Sequence, residues 1–367
     1  MIPPFFVPAI PPNGTFAASA VWGDVVVANP WNLYQAFGDL GMLEEHFPQS
    51  QSWIDIGIPR REDGLWNRSS HQFGDHLDPK APPESPTDAT THKALVADAY
   101  LVEMTGVLGK ISEALGKGDD SEKYLKQREE LKAKFQDAWV SDGSELANRT
   151  QTAYALALDF NLFADEEQHN AGVEALRKII EKNDYLVGTG FAGTPSLGPA
   201  LRDNGATEDF YKMLLQTRVP SWLYQVVQNA TTTWERWDSL LDDGTINPGE
   251  MTSFNHYAFG TVADWIHQVI GGIAAAEPGW KRVKVAPVPG GGITRADSRF
   301  VSPYGEVHVK WWFEDNEEEN ANHRNGFHLT VQIPPNSKAD VTLPGNEESV
   351  ELGSGYHEFH DPRYTSP

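Results

Sequence analysis

The segment TTTWERWDSLLDDGTINPGEMTSFNHYAFG, residues 231–260, concentrates side chains that could do chemistry. Glu235 follows Trp234 and stands two residues before Trp237. In an extended segment, neighbouring side chains face opposite ways, so Glu235 would share a face with Thr233 and Trp237. Aromatic rings pack against the C–H faces of sugars, and a carboxylate binds hydroxyl groups or activates water. The pattern is therefore typical of a sugar site.

A structural interpretation of the same residues stays open. Glu235 and Arg236 are neighbours and could form an ion pair between two core tryptophans, Trp234 and Trp237. Local composition does not distinguish this arrangement from a binding site.

His256 is the second candidate for chemistry. The pattern TSFNHYA predicts a helix beginning near Thr252 or Ser253, with either hydroxyl as N-cap and His256 in the first turns. The intervening loop contains Gly and Pro and can bring His256 back towards Glu235. A histidine near a helix start is also often structural. Glu250 could be a ligand or a charge at the helix terminus.

Two further groups of aromatic and acidic residues lie in the first eighty residues, namely Trp22, Asp24 and Trp31, then Asp63, Trp66, Asp75, His76 and Asp78. Carboxylates and aromatics that recur in separate long loops suit a glycosidase-type cleft. Solvated loop acids and buried tryptophans are the alternative for each. Pro30 is predicted to start a helix. The spacing of Asp75, His76 and Asp78 fits no strong ligand motif, so we expect no metal.

Composition narrows the classes of partner. The 367 residues carry a formal net charge of −23, which disfavours nucleic acid and anionic lipid but leaves neutral sugars open. We find no apolar run of membrane-spanning length and no signal peptide at the start, and the compartment stays open. Cysteine is absent, which excludes disulfides and thiolate chemistry. Phosphate-loop, dinucleotide and H-E-x-x-H patterns are also missing, so we expect no cofactor.

The predicted secondary structure that must position these residues changes along the chain from helices to strands. Apolar spacing predicts helices over residues 88–116, 119–143, 149–163, 165–183, 206–217 and 252–276. Alternating apolar residues predict strands within residues 281–287, 298–314, 327–335, 339–344 and 348–359. We therefore predict a mainly α domain over residues 1–276 and a small antiparallel β-domain over residues 277–367.

The block from TTTWERWD to FNHYAFGTVADWIHQVIGGI, followed by EPGWKRVKVAPVPGGG, resembles the C-terminal half of bacterial and fungal α-L-rhamnosidases of glycoside hydrolase family 78. AVWGDVVVANPWNLYQAFGD and FGDHLDP resemble earlier motifs of that family. The resemblance implies an (α/α)6 toroid, apparently without its first helices, followed by a β-sandwich. It also implies inverting hydrolysis of terminal α-L-rhamnosyl residues, in which an acid and a base lie about 6.5–9.5 Å apart.

The resemblance assigns roles to particular residues. Glu235 is expected to be the general base, His256 the histidine beside sugar and base, and Trp22 a wall of the rhamnose pocket. The expected substrate-binding set is Trp22, Asp24, Trp31, Asp75, His76, Trp234, Trp237 and Glu250. The expected partner is a carbohydrate, a rhamnoside.

Three departures from the family pattern bear on activity. The family's general acid lies in an Asp-Glu-Arg segment upstream of this chain's first motif, and PRREDGLW occurs too late to match it. His76 stands where the family often has Trp, and Ala9 stands where an acid is common. The alternative is therefore a catalytically inactive carbohydrate-binding remnant, or a fragment that lacks the general acid. A third hypothesis is a different toroid-fold glycosidase or lyase with altered specificity. We also expect a further segment or a second copy of the chain to cover apolar helix faces.

Overall fold

The computed structural model describes residues 2–5, 17–141, 145–314 and 325–365. These residues form two compact units. The helical unit comprises Met1–Trp31 with Leu40–Thr261, and the β unit comprises Asn32–Asp39 with Val262–Pro367. Ala9 lies outside the described residues. The domain boundary near Glu277 stays a prediction.

Helices make up most of the helical unit. The α-helices of the described residues are α1 Val25–Phe37, α2 Leu40–Ser52, α3 Lys93–Ala114, α4 Gly118–Trp139, α5 Gln151–Asp159, α6 Glu166–Lys182, α7 Thr194–Arg202, α8 Thr207–Leu214, α9 Trp222–Val227 and α10 Val262–Trp265. The residues of α1 from Asn32 onwards and all of α10 belong to the β unit. α3 packs against α4, and α5 packs against α6 and α7. α3 is apolar on several sides, and Leu95, Val102 and Leu108 are fully buried, which is typical of a central helix.

Five of the predicted helices are confirmed in place, as α3, α4, α5, α6 and α8. The helices α2, α7 and α9 were not predicted. Proline lies inside α2 at Pro48 and inside α7 at Pro199, and α9 has only six residues. Proline and short length both weaken the helical signal in a sequence.

The prediction that Pro30 starts a helix is wrong. α1 begins at Val25, and Pro30 is buried in its interior. Proline has no N–H, so the carbonyl of Val26, one turn earlier, loses its usual backbone donor. The hydroxyl of Ser50 donates to this carbonyl at 2.7 Å, which satisfies it and lets the helix continue.

The prediction of one helix over residues 252–276 is also wrong. The structure has a 3-10 turn at Ala258–Thr261, α10, a π-helical turn at Ile266–Ile270 and then strand β1, Ile273–Ala275. Residues 252–257 lie in a loop whose backbone pairs with the segment carrying Glu235. His256 therefore precedes the helical turn and does not lie inside a helix.

The β unit confirms the predicted strands after residue 277. Its remaining strands are β2 Arg282–Val285, β3 Arg295–Ser302, β4 Gly305–Phe313, β5 Asn325–Ile333, β6 Lys338–Val341, β7 Val350–Leu352 and β8 Gly355–Thr365. They form two sheets, ordered β1-β2-β6-β7 and β3-β4-β5-β8. Buried residues of both sheets share one core, which includes Val283, Trp311 and Leu329. One pairing departs from the antiparallel expectation, because β2 runs parallel to β6.

Among the described residues, no helix combines the length and apolarity needed to cross a membrane.

Candidate active site

Glu235 lies in a loop that is tied to the loop of His256. The N–H of Glu235 donates to the Ser253 carbonyl at 2.9 Å, and the N–H of His256 donates to the Thr233 carbonyl at 2.8 Å. The Ser253 N–H in turn donates to Oε2 of Glu235 at 3.1 Å. These bonds hold the two segments side by side, so the intervening loop does bring His256 back towards Glu235. We call Glu235, Ser253 and His256 the Glu235 cluster.

The orientation of His256 follows from its hydrogen bonds. Its Nδ1 accepts from the Ala258 N–H at 3.2 Å, so the proton of a neutral ring lies on Nε2. Nε2 lies 3.9 Å from Oε1 of Glu235, beyond direct hydrogen-bond distance. The side chains of His256 and Glu235 are 25% and 13% exposed. Oε1 can therefore accept a hydrogen bond from a water or hydroxyl group.

An aromatic wall stands beside this carboxylate, with Phe191 at its centre. Phe191 stacks on His256 with ring centroids 4.9 Å apart. It also makes an edge contact with His76 at 5.2 Å and a parallel contact with Trp22 at 6.5 Å. Trp22 meets His76 edge-on at 5.6 Å. The structure thus gathers three of the predicted site residues, Trp22, His76 and His256, around one phenylalanine.

His76 contributes to this wall as a neutral ring. Burial lowers its pKa to about 4, and its electrostatic interactions with His256 and Arg236 act in the same direction. Its Nδ1 is buried and has no hydrogen-bond partner among the described residues. A neutral imidazole adds a flat surface without charge, which suits contact with the C–H groups of a sugar.

Asp75 has a different environment from the one predicted for a binding residue. It is fully buried, and both carboxylate oxygens are occupied by donors. Oδ1 accepts from the Gly193 N–H at 2.8 Å, and Oδ2 accepts from the Gly190 N–H at 2.8 Å and from the Thr152 hydroxyl. Burial raises its pKa to about 6, and these hydrogen bonds oppose the rise. We call Asp75, Thr152, Gly190 and Gly193 the Asp75 cluster.

The Asp75 cluster holds the loop that carries Phe191. The Phe191 N–H donates to the His76 carbonyl at 2.9 Å, so the two loops run against each other. A Cβ at Gly190 would lie 2.3 Å from the Asp75 carbonyl oxygen and 2.4 Å from that of His76. Only glycine permits this approach, and the approach places Phe191 beside His76.

Asp24 plays a similar part near Trp22. It is buried, and its carboxylate accepts from the indole N–H of Trp53 at 2.8 Å and from the Val21 N–H at 2.7 Å. Val21 has a positive φ of 67°, a strained conformation for a β-branched residue. Asp24 stabilises this turn and so fixes where Trp22 points. Burial raises the pKa of Asp24 to about 6.

The two tryptophans beside Glu235 are core residues. Trp234 and Trp237 are 3% and 2% exposed. The indole of Trp237 donates to the Thr189 carbonyl at 2.9 Å and stacks on Phe259 at 4.1 Å. The two tryptophans are therefore core residues, as in the structural interpretation of this segment. The ion pair between Glu235 and Arg236 that belonged to the same interpretation does not form, because the buried Arg236 bonds to Asp238 at 3.1 Å.

The remaining candidates lie apart from the Glu235 cluster in their contacts. Glu250 is exposed, and its backbone carbonyl accepts from Arg236 at 3.4 Å. Trp31 is half-buried on α1. Asp78 accepts from the N–H groups of Lys80 and Thr90 at 2.7 and 2.6 Å, so its oxygens serve the local turn.

Sequence reasoning missed Phe191 and Ser253. Ser253 acts through its backbone N–H, which no side-chain pattern shows. Phe191 lies in GTGFAGT, residues 188–194, where several glycines flank one aromatic residue. Glycines in that number indicate close backbone approach, and this was the one available signal.

Comparisons with known families identify the class of protein. The sequence model of the bacterial α-L-rhamnosidase six-hairpin glycosidase domain matches residues 2–270, and that of the bacterial α-L-rhamnosidase C-terminal domain matches residues 272–358. The chain belongs to the bacterial α-L-rhamnosidase six-hairpin glycosidase family. The prediction of a toroid domain followed by a β-domain is confirmed.

Individual relatives agree with this assignment. An α-L-rhamnosidase of Streptomyces avermitilis is 35% identical over 93% of this chain and 33% of its own length. The crystal structure of a native α-L-rhamnosidase from Aspergillus terreus has a TM-score of 0.93 at 50% identity, covering 97% of this chain and 40% of that one. A Streptomyces avermitilis α-L-rhamnosidase complexed with L-rhamnose has a TM-score of 0.84 at 33% identity, covering 96% of this chain and 34% of that one. This chain thus spans about a third of the length of the curated relatives that it matches.

Proposed function

We propose that this chain carries the base side of an inverting α-L-rhamnosidase site, with Glu235 as the general base. One observation carries the proposal. Glu235 is a partly exposed carboxylate with one oxygen held by the Ser253 N–H and the other turned towards Nε2 of His256. An oxygen that is oriented but still able to accept a proton is what a base needs.

In this mechanism, Oε1 of Glu235 accepts a proton from water as the water attacks the anomeric carbon. The Ser253 N–H keeps the carboxylate from rotating. His256 presents Nε2–H to the same space and donates to a sugar hydroxyl or to the water. Inversion requires the attack to come from the face opposite the leaving oxygen.

We propose that the aromatic wall favours a deoxysugar. Rhamnose carries a methyl group at C6, so one part of its surface is apolar. Trp22, Phe191 and the neutral His76 offer ring surfaces for that part. A charged group in the wall would favour a more polar sugar.

We also propose revised roles for four predicted binding residues. Asp24 and Asp75 are positioning residues, because their oxygens are already bonded to backbone and indole donors. Trp234 and Trp237 shape the loop from inside the core. Trp31 and Glu250 remain proposed binding residues. The domain boundary near Glu277 likewise remains a prediction.

The test is turnover of an aryl α-L-rhamnoside whose phenolate leaves without protonation. Glu235→Gln should lower kcat about 10²–10⁴-fold, since the amide cannot accept the proton of water. Glu167→Gln, a change to an exposed carboxylate on α6 that has no proposed role in the site, is the matched control and should leave kcat at the wild-type value. Wild-type turnover in Glu235→Gln would refute the role.

A second measurement examines the stereochemistry. Proton NMR during turnover should show β-L-rhamnose first, before mutarotation produces the α anomer. Initial formation of the α anomer would contradict an inverting mechanism. L-Rhamnose binding by calorimetry without any turnover would favour the alternative of a carbohydrate-binding remnant.

A further inference from the structure

Two stacked histidines on the β unit share a single carboxylate oxygen. His328 Nε2 lies 3.2 Å from Oε1 of Glu314, and His360 Nε2 lies 3.3 Å from the same atom. The two imidazole rings are 4.2 Å apart and inclined by 9°. All three ligand atoms lie within 4.8 Å of one another.

The strand register produces this grouping. His328 on β5 pairs with Trp312 on β4 and with His360 on β8. Side chains that are directly paired lie on the same face of a sheet, and residues two apart on one strand also share a face. Glu314 follows Trp312 by two residues and therefore reaches the same face. The neighbours Phe327 and Leu329 are buried on the opposite, core side.

We propose that Glu314, His328 and His360 bind one divalent transition-metal ion of the zinc type. Zinc bonds to imidazole nitrogen at about 2.0–2.1 Å and to carboxylate oxygen at about 2.0–2.2 Å, so tetrahedral ligands lie roughly 3.3 Å apart. The two nitrogen–oxygen separations, 3.2 and 3.3 Å, match that spacing. A water molecule completes the coordination.

Binding changes the protonation and tilt of the rings. Each Nε2 must present a lone pair to the ion, so the proton of the neutral ring moves to Nδ1. The parallel rings must also open so that their lone pairs converge. The side chains of His360 and Glu314, 44% and 52% exposed, have room to do this. His328 is steadied by Trp312, which stacks on it at 5.0 Å.

The ligand set selects the class of ion. Two imidazoles with one carboxylate favour Zn²⁺, Ni²⁺ or Cu²⁺, whereas Ca²⁺ and Mg²⁺ prefer oxygen ligands. β8 is the last strand in the order β3-β4-β5-β8. An ion here joins this edge strand to β5 and to the end of β4, and so stabilises the pairing of the edge strand.

The test is calorimetric titration of the full-length chain, freed of metal by a chelator, with zinc chloride alone. We expect one saturable site whose affinity falls at least tenfold in His360→Ala and in His328→Ala. His308→Ala is the matched control, because His308 on β4 pairs with one carboxylate, that of Asp297, at 2.7 Å. It should keep the wild-type affinity.

Two results overturn the proposal. One is the absence of saturable binding up to about 1 mM zinc, where a three-ligand site should be filled. The other is wild-type affinity in the His328→Ala, His360→Ala double variant, which would place binding elsewhere on this acidic chain. Because His360 is largely exposed, its variant should stay folded, and circular dichroism verifies this. The more conservative His360→Gln should likewise lose affinity. The quenching of total tryptophan fluorescence by Cu²⁺, to which Trp312 beside His328 contributes, should weaken in parallel.

Discussion

The Asp75 and Glu235 clusters each place a loop carboxylate in the helical unit, yet their chemistry differs. Asp75 is fully buried and accepts from Thr152, Gly190 and Gly193. Glu235 keeps part of its side chain open and accepts one backbone N–H, from Ser253. Both are acidic residues among aromatics in the sequence, so residue type alone does not separate them.

The difference lies in the remaining acceptor capacity. A carboxylate whose two oxygens already accept from buried donors fixes the backbone around it and has little acceptor capacity left for a substrate. A carboxylate held by one donor is oriented and can still take a proton. The contrast predicts that changes to the first cluster act on stability and changes to the second act on turnover.

Asp75→Ala should have the largest effect on stability. It leaves the Thr152 hydroxyl and the N–H groups of Gly190 and Gly193 without their acceptor in a buried site. At about 1–3 kcal/mol for each of the three unsatisfied groups, the free energy of unfolding should fall by about 3–9 kcal/mol. Urea unfolding measures this, and Glu62→Ala, a change to an exposed carboxylate, is the control.

A loss under about 1 kcal/mol would mean that other contacts hold the Phe191 loop. If Asp75→Ala fails to accumulate, Asp75→Asn offers a milder version. The amide keeps one acceptor oxygen and should lie between Ala and the wild type.

His256→Phe should act mainly on turnover, with a loss of stability of about 1 kcal/mol because the Ala258 N–H loses its acceptor Nδ1. Phenylalanine keeps the stacking on Phe191 but removes Nε2–H, the donor facing Glu235 and the sugar. We expect kcat/KM to fall about 10–100-fold, the cost of one hydrogen bond to a charged or reacting group. Steady-state kinetics and thermal unfolding on the same preparation separate the two effects. Equal loss of stability and activity would remove the contrast with the Asp75 cluster.

His76 should give the smallest effect, visible only on acidification. Its pKa is about 4 in the folded chain and about 6.5 when unfolded. The unfolded state therefore binds a proton more readily, and stability is lost as pH falls from about 6.5 towards 4. His76→Phe should reduce that loss by about 1–2 kcal/mol between pH 7 and pH 5.

Asp24 and Asp75 act in the opposite direction in this range. Their pKa values are raised to about 6, so protonation favours the folded state as pH falls from about 6 towards 4. Both proteins contain Asp24 and Asp75, so the difference in stability between His76→Phe and the wild type leaves out the contribution of these two carboxyl groups. His46→Phe, a change to an exposed histidine on α2, is the control and should leave the pH profile unchanged.

Much of the fold could be predicted because its signals are local. The alternation in EVHVKWWF gives β4 directly, with Val307, Val309, Trp311 and Phe313 all buried. The apolar spacing of α3 likewise identifies a central helix. The errors arise where a distant group changes the local rule. Pro30 fits inside α1 because the Ser50 hydroxyl from α2 satisfies the freed carbonyl.

The candidate site was predictable in part. Glu235 and His256 were expected to meet, and they lie 3.9 Å apart. The burial of Asp24 and Asp75 was not predictable, because it depends on loops that are far away in sequence. Phe191 was missed because its side chain has no group that suggests chemistry. Its place beside His76 depends on the close backbone approach at Gly190, which the sequence does not show.

The most direct test of the account uses Glu235→Ala with an activated aryl α-L-rhamnoside in the presence of sodium azide. Azide needs no deprotonation, so it can attack in place of water once the base is gone. We predict negligible hydrolysis without azide, and with azide a restored rate and a β-L-rhamnosyl azide product. Undiminished hydrolysis by Glu235→Ala, unaffected by azide, would contradict the assignment of Glu235 as the base.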